Sequence, residues 1–260
     1  MNNEPNGAAR SVQFGSTRLD FAVGDAKGFV VLPSKAEGRD TIPWVWHAPT
    51  LIGSLPSDTH DWMYRQLLDN GFAIGGVDVG ESYGNPAGRA VYSQYHELVV
   101  ERYGLSRKAC LMPQSRGGLM LYNWAADHPD CVQCIGGIYT VCDLESWPGL
   151  EKPCAAYGMT EDEFREALPR NNPIERLDGL ARERAPILHV HGDSDDVVPL
   201  ERNSGALIRR YVDLGGPGRL LIIEGKGHEE CREFFQCEEL VAFLLAEGYP
   251  DGRESSRRQD

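Results

Sequence analysis

Three residues of this chain, a serine, an aspartate and a histidine, can do chemistry together, and each stands where an apolar run ends. Ser115 lies in Pro113-Gln114-Ser115-Arg116-Gly117-Gly118. The run before it, Ala109-Cys110-Leu111-Met112, reads as a buried strand, and from Gly118 onward Leu119-Met120-Leu121-Tyr122-Asn123-Trp124 takes helical spacing. A serine on such a strand-to-helix turn holds its hydroxyl clear of a sheet. The amide of Arg116, at a helix N-terminus, is then free to face a developing oxyanion. A serine hydroxyl is a poor nucleophile at neutral pH and needs a base within hydrogen-bond reach; His228, in Gly225-Lys226-Gly227-His228, is the candidate. The imidazole needs a carboxylate to fix its tautomer and stabilise its cation. Asp193, Asp195 and Asp196, after the run Ile187-Leu188-His189-Val190, and Asp143, after an earlier one, compete for that role. On its own Ser115 also reads as a helix N-cap, and Arg116 as a solvated or salt-bridged arginine.

The order serine, acid, histidine, with each residue on a loop at a strand's C-terminal end, resembles the α/β-hydrolase superfamily over nearly the whole chain. Within it the sequence looks most like single-domain esterases and the catalytic domain of the prolyl oligopeptidase family. The resemblance implies an α/β fold with a mostly parallel central sheet flanked by helices, and Ser115, Asp195 and His228 as catalytic residues. Asp195 matches the superfamily's acid in His191-Gly192-Asp193-Ser194-Asp195-Asp196-Val197-Val198-Pro199, with Asp143 and Asp196 left as alternatives. Two positions depart from the pattern. Pro113 replaces the first glycine of the usual Gly-x-Ser-x-Gly, and Pro49, in His47-Ala48-Pro49-Thr50, has no N–H where the second oxyanion amide is usually offered. Ala48 or Thr50 must donate, or the Arg116 guanidinium substitutes; that side chain could also bind a substrate carboxylate, as in glucuronoyl esterases with a Ser-Arg elbow. Trp46, Tyr83, Trp147 and Tyr157 fall on strand ends or loops where rings could shape a pocket, although core packing is the commoner fate of such residues.

The function expected from this is hydrolysis of carboxylic esters through an acyl-enzyme, with acetyl, feruloyl or uronoyl esters of carbohydrates as candidate small-molecule substrates. A prolyl oligopeptidase-like peptidase is the alternative; such peptidases carry a propeller or a large N-terminal domain, for which this chain leaves no room. A non-catalytic binding module on the same fold is the third reading. His189-Val190-His191-Gly192-Asp193 has a metal-site spacing but lacks a further histidine, so neither metal nor other cofactor is expected.

The positioning elements alternate. Residues 11–32 read as short strands separated by Gly and charged turns, residues 43–48 as the next strand, residues 61–70 as a helix ended by Gly71, and residues 72–79 as another buried strand. Strands follow at 132–139, 186–190 and 219–223, with a closing helix, and the alternation predicts a parallel sheet with right-handed crossovers. Residues 140–184 are too long for a connection and hold a capping box, Thr160-Glu161-Asp162-Glu163, so a small cap over the site is expected. One domain over residues 1–250 and a disordered polar tail over 251–260 complete the organisation.

Composition narrows the class. With 260 residues, 41% hydrophobic and 25% charged, the chain has the make-up of a globular unit large enough for a substantial core. A net charge of -13 argues against nucleic acid and anionic membranes as partners, both of which demand basic patches. No signal-peptide core or apolar run of membrane-spanning length is present in the sequence as given, so a cytoplasmic protein with reduced thiols at its seven cysteines is expected.

Overall fold

The computed structural model describes residues 8–34, 40–50 and 55–249. The expected tail, 251–260, and part of the loop after Thr50 lie outside the described residues. Three strands, β1 (Ala9–Gln13), β2 (Ser16–Val23) and β3 (Ala26–Leu32), form an antiparallel meander whose turns fall at Gly15 and Gly24. β4 (Trp44–Ala48), β5 (Ala73–Val77) and β6 (Ala109–Pro113) are buried at every position, as parallel strands covered on both faces must be. With β7 (Val132–Ile138), β8 (Ile187–Gly192) and β9 (Gly218–Ile223) they complete a nine-stranded sheet in the order β1-β2-β3-β5-β4-β6-β7-β8-β9. All pairings from β5 to β9 are parallel. The strand order reverses between β4 and β6, and ligands of such sheets bind beyond the strands' carboxyl ends at that place.

Period-two alternation distributes the core. Trp44, Trp46 and Ala48 of β4 join one apolar cluster beneath α2 (Pro86–Tyr103), α3 (Gly117–Asp127) and α7 (Ser204–Asp213). Val45 joins the other, against α1 (Asp61–Asp69) and α9 (Glu238–Glu247). The sequence reading named no helix at α2, yet its ends are signalled: Asn85 Oδ1 accepts from Gly88 N at 2.8 Å, Pro86 stands at the first turn, and Gly104 closes it in the left-handed region.

Between β7 and β8 lie α4 (Glu151–Tyr157), α5 (Glu161–Ala167) and α6 (Asp178–Glu183). α5 starts with the capping box read from the sequence, Thr160 and Glu163 bonding each other's backbone N–H. A third apolar cluster, including Leu144, Leu150, Cys154, Phe164 and Leu168, packs this segment onto Leu119 of α3 and Val198. α8 (Arg232–Phe235) is a single turn that tucks Phe234 and Phe235 under the sheet. Among the described residues no helix is long and apolar enough to cross a membrane.

Candidate active site

Ser115 is the second residue beyond β6 and takes φ 50, a left-handed conformation that residues other than glycine adopt at a cost. The backbone around it compensates: Ser115 N donates to Ile138 O at 3.0 Å, and Ser115 O accepts from Gly118 N at 3.0 Å and Val141 N at 2.9 Å. The turn is possible because two glycines follow. A Cβ on Gly117 would lie 2.0 Å from Ala48 O, and one on Gly118 2.1 Å from Val141 O, both rigid backbone. Pro113, the departure from the usual elbow, causes no conflict. It sits opposite Ala48 in the parallel register, and its carbonyl accepts from Thr140 Oγ1 at 3.3 Å.

Ser115 Oγ lies 2.8 Å from His228 Nε2, and His228 Nδ1 lies 2.8 Å from Asp195 Oδ2. With Nδ1–H donated to a carboxylate, Nε2 is left as the acceptor for the serine hydroxyl. Asp195 is buried, and burial alone would raise its pKa. Hydrogen bonds from His191, His228 and the Val198 N–H outweigh that and hold the carboxyl well below the usual carboxylate range. Of the competing acids, Asp143 is tied to Arg202 at 2.6 Å and Asn172 at 3.2 Å, Asp193 accepts from Gly225 N at 2.7 Å, and Asp196 is exposed. Asp195 is the one brought to His228.

The metal-site spacing has a different use. His189 and His191 both reach Ser204 Oγ, at 2.9 and 2.8 Å, and their other ring nitrogens meet Tyr122 Oη and Val198 O. Asp193 points away to the surface, and among the described residues no group of three or more His, Cys, Asp or Glu could hold a metal ion.

The residues read as oxyanion donors are less closely arranged. Arg116 begins the helix α3 without a side-chain cap, and its guanidinium is paired with Glu81, on the loop after β5, both side chains about a third exposed. Ala48 is inside β4 with its carbonyl taken by Gln114 N at 2.8 Å, and the Thr50 hydroxyl donates to His47 O at 2.7 Å. Trp46 is a correction: its ring stacks among Trp44, Tyr92, Tyr95 and Trp124 with no exposed surface, so it is core and not pocket wall. Tyr83, Trp147 and Tyr157 do gather, half-buried, against the apolar cluster of segment 140–184. Tyr157 donates to Tyr83 O at 3.1 Å.

Residues that the sequence reading passed over also touch this centre. The Tyr139 ring lies 4.4 Å from the His228 ring, and its hydroxyl accepts from Gln114 Nε2 at 3.0 Å, while Gln114 Oε1 meets His60 Nε2 at 2.9 Å. Burial pushes the Tyr139 hydroxyl upward and the His60 imidazole downward, so both stay neutral at ordinary pH. No motif flags them, since their role follows from being adjacent to Ser115 or across the sheet from it. Two cavities have walls that do not include Ser115. One, of about 320 Å³, is lined by Val79, Glu81, Ser82 and Asn85 among others; the other, of about 510 Å³, by Arg89, Asp127, Arg170 and Arg176 among others. The hydrogen-bonded centre is the better guide to chemistry than either hollow, because geometry of the reacting groups comes first.

The fold has many relatives among solved structures. The S-formylglutathione hydrolase from Agrobacterium tumefaciens superposes with TM-score 0.70 at 15% identity, over 91% of this chain and 98% of that one. Est1E from Butyrivibrio proteoclasticus gives 0.60 at 16% identity, over 92% of this chain and 97% of that one. Porphyromonas gingivalis dipeptidyl peptidase 4 gives 0.71 at 14% identity over 88% of this chain, which spans only 35% of that one. At such identities the likeness is one of fold, and the fold is that of the α/β-hydrolases. No curated protein matches the sequence. A family profile, that of the prolyl oligopeptidase family, matches residues 92–246, a stretch that runs from within α2 through the elbow and both loops to the last helix; the chain belongs to that family.

Proposed function

We propose that this protein is a serine hydrolase that cleaves carboxylic esters, with Ser115 as nucleophile, His228 as base and Asp195 as acid. The observation that carries the reading is the unbroken chain Ser115 Oγ, His228 Nε2, His228 Nδ1, Asp195 Oδ2, with both links 2.8 Å, on a serine held at φ 50 at the mouth of α3. In the reaction, Ser115 Oγ bonds to the ester carbonyl carbon while its proton passes to His228 Nε2. The oxyanion develops beside the Arg116 N–H, and collapse expels the alcohol, which takes the proton from His228. Water then attacks the acyl-serine ester with His228 again as base. Asp195 keeps Nδ1–H in place and stabilises the imidazolium throughout.

Two considerations bear on the substrate, the first favouring esters over peptides. The unit is coextensive with an S-formylglutathione hydrolase and with Est1E, so a fold of this extent suffices for a complete enzyme of that kind. The Arg116–Glu81 pair also engages the cation that would otherwise attract a substrate carboxylate, which points to neutral esters ahead of uronates. Family membership supports the second reading, a peptidase. A fluorophosphonate probe should label wild-type protein at Ser115 and leave Ser115→Ala unlabelled; no labelling of the wild type would leave a non-catalytic module. Turnover of p-nitrophenyl acetate and butyrate against proline and aminoacyl p-nitroanilides then separates the two enzymes, and faster amide than ester cleavage would overturn the ester reading.

A further inference from the structure

The proposed reaction uses three side chains, but the hydrogen-bonded chain does not stop at Asp195. Asp195 Oδ2 also lies 3.2 Å from His191 Nε2, which is 2.9 Å from Val198 O. Both neighbours are acceptors, so Nε2 of His191 must carry the hydrogen. In a neutral ring, Nδ1 of His191 is then an acceptor, and its partner among the described residues is Ser204 Oγ at 2.8 Å, which must donate. Ser204 Oγ in turn accepts from His189 Nδ1–H at 2.9 Å, and His189 Nε2 accepts from the Tyr122 hydroxyl at 2.7 Å. His189, His191 and Ser204 have no exposed surface, and Tyr122 has almost none. Burial, and secondarily the neighbouring His191, press the His189 pKa down to about 3, so that ring stays uncharged over the working pH range.

With a neutral His191 the polarity of the whole file follows. Each hydrogen points from Tyr122 towards His191, whose Nε2–H is shared between Val198 O at 2.9 Å and Asp195 Oδ2 at 3.2 Å, the carboxylate oxygen that also receives His228 Nδ1–H. Asp195 Oδ1 is occupied separately by the backbone N–H of Val197 at 3.1 Å and Val198 at 2.8 Å. Three donors and the shared His191 hydrogen on two oxygens leave the carboxylate one orientation.

We propose that His191 is a positioning residue for Asp195, and through it for His228, with Ser204, His189 and Tyr122 as the file that fixes its tautomer. The inference rests on the proposed hydrolase reading only for its kinetic consequence. Were His191 mere packing, an isosteric apolar side chain would serve as well; as a donor, it is needed for its Nε2–H. A glutamine can place its amide N–H near the Nε2 position, whereas leucine cannot.

The test compares His191→Leu and His191→Gln in the full chain, with thermal melting to show that each is folded. On p-nitrophenyl acetate, His191→Leu should lose about ten- to a hundredfold in kcat with KM within twofold, the size of one hydrogen bond to a charged group, and His191→Gln should recover most of it. Independently of turnover, the low-field proton resonance of His228 Nδ1–H should be sharp in wild type and in His191→Gln, and shifted or broadened in His191→Leu. Equal kcat for His191→Leu and wild type, or an unmoved resonance, overturns the proposal. If His191→Leu does not fold, Ser204→Ala carries the test, with a severalfold fall in kcat expected and none overturning it. A wild-type protein that neither hydrolyses esters nor takes the fluorophosphonate would sink the hydrolase reading alone, since the resonance still decides the role of His191.

Discussion

The two flanks of Ser115 are built on different terms. Towards β8 and β9, Asp195, His191, Ser204, His189 and His228 form a closed file in which every side-chain polar atom is partnered. Towards β4, His47 Nδ1 and Trp46 Nε1 are buried without a hydrogen-bond partner among the described residues, and the Arg116 guanidinium is turned outward onto Glu81. The acid–base flank is thus over-determined, because a shift of one residue would orphan several buried groups at once. The oxyanion flank is held mainly by close backbone approach at Gly117 and Ala48, and leaves its donors open to adjustment. In the proposed reaction, the contrast would separate a part that must stay fixed for proton transfer from a part that can adapt to the acyl group.

The widest gap between the flanks should appear when the centre itself is cut. Ser115→Ala and His228→Ala should each lower ester turnover by roughly 10⁴- to 10⁶-fold, and the double variant should be little worse than either, because the groups act as a unit. Multiplicative losses would mean the two residues work separately. Gly117→Ala probes the other flank: its methyl would meet Ala48 O at 2.0 Å, so either β4 or the elbow must move. A loss on the order of a hundredfold in kcat is expected, with about 1–3 kcal/mol of stability by urea unfolding. A fully active, fully stable variant would show that the approach is looser than described.

Acid should act on both flanks. The folded-state pKa of His189 is depressed to about 3, and burial together with His60 lowers that of His47 well below 6.5. The unfolded chain binds protons that the folded chain refuses, so stability is complete above about pH 6.5 and falls as pH drops, with His189 contributing down to about 3. Each ring adds about 1.4 kcal/mol per pH unit to that slope. Urea midpoints at pH 7.5, 6 and 5 measure it, and equal midpoints at all three would contradict the buried-neutral assignment. The smallest effect is expected at Arg116→Ala. Its exposed pair with Glu81 contributes at most about 1 kcal/mol to stability, and hydrolysis of a neutral ester should fall less than about tenfold. A hundredfold fall would show that the guanidinium leaves Glu81 to serve the oxyanion.

How far the sequence revealed this follows the same division. Ser115, Asp195 and His228 were readable because each ends an apolar run and their order restricts the topology. Choosing Asp195 over Asp143 took a family pattern; in space the reason is plain, since Asp143 is already bound by Arg202. The nine strands were mostly visible from apolar runs, and α5 from its capping box. α2 went unread because its apolar residues make no clean stripe, although Asn85-Pro86 and Gly104 mark both ends. Trp46 was misplaced because a strand's last residues look alike in sequence whether they face solvent or, as here, the underside of α2 and α3. Tyr139 and His60 gain their roles from contacts distant in sequence, through Gln114 and His228, which no local spacing encodes, whereas His191 lies four residues before Asp195 and was read only for its metal-like spacing.

The left-handed backbone at Ser115 also bears on what happens when the protein is bred for durability alone. Serine there sits in a conformation that costs about 1 kcal/mol and that glycine adopts freely. Natural and laboratory lineages screened only for survival on heating would therefore find the inactive Ser115→Gly exchange among their easiest gains. The position that would make this protein an enzyme is one where toughness and usefulness pull in opposite directions.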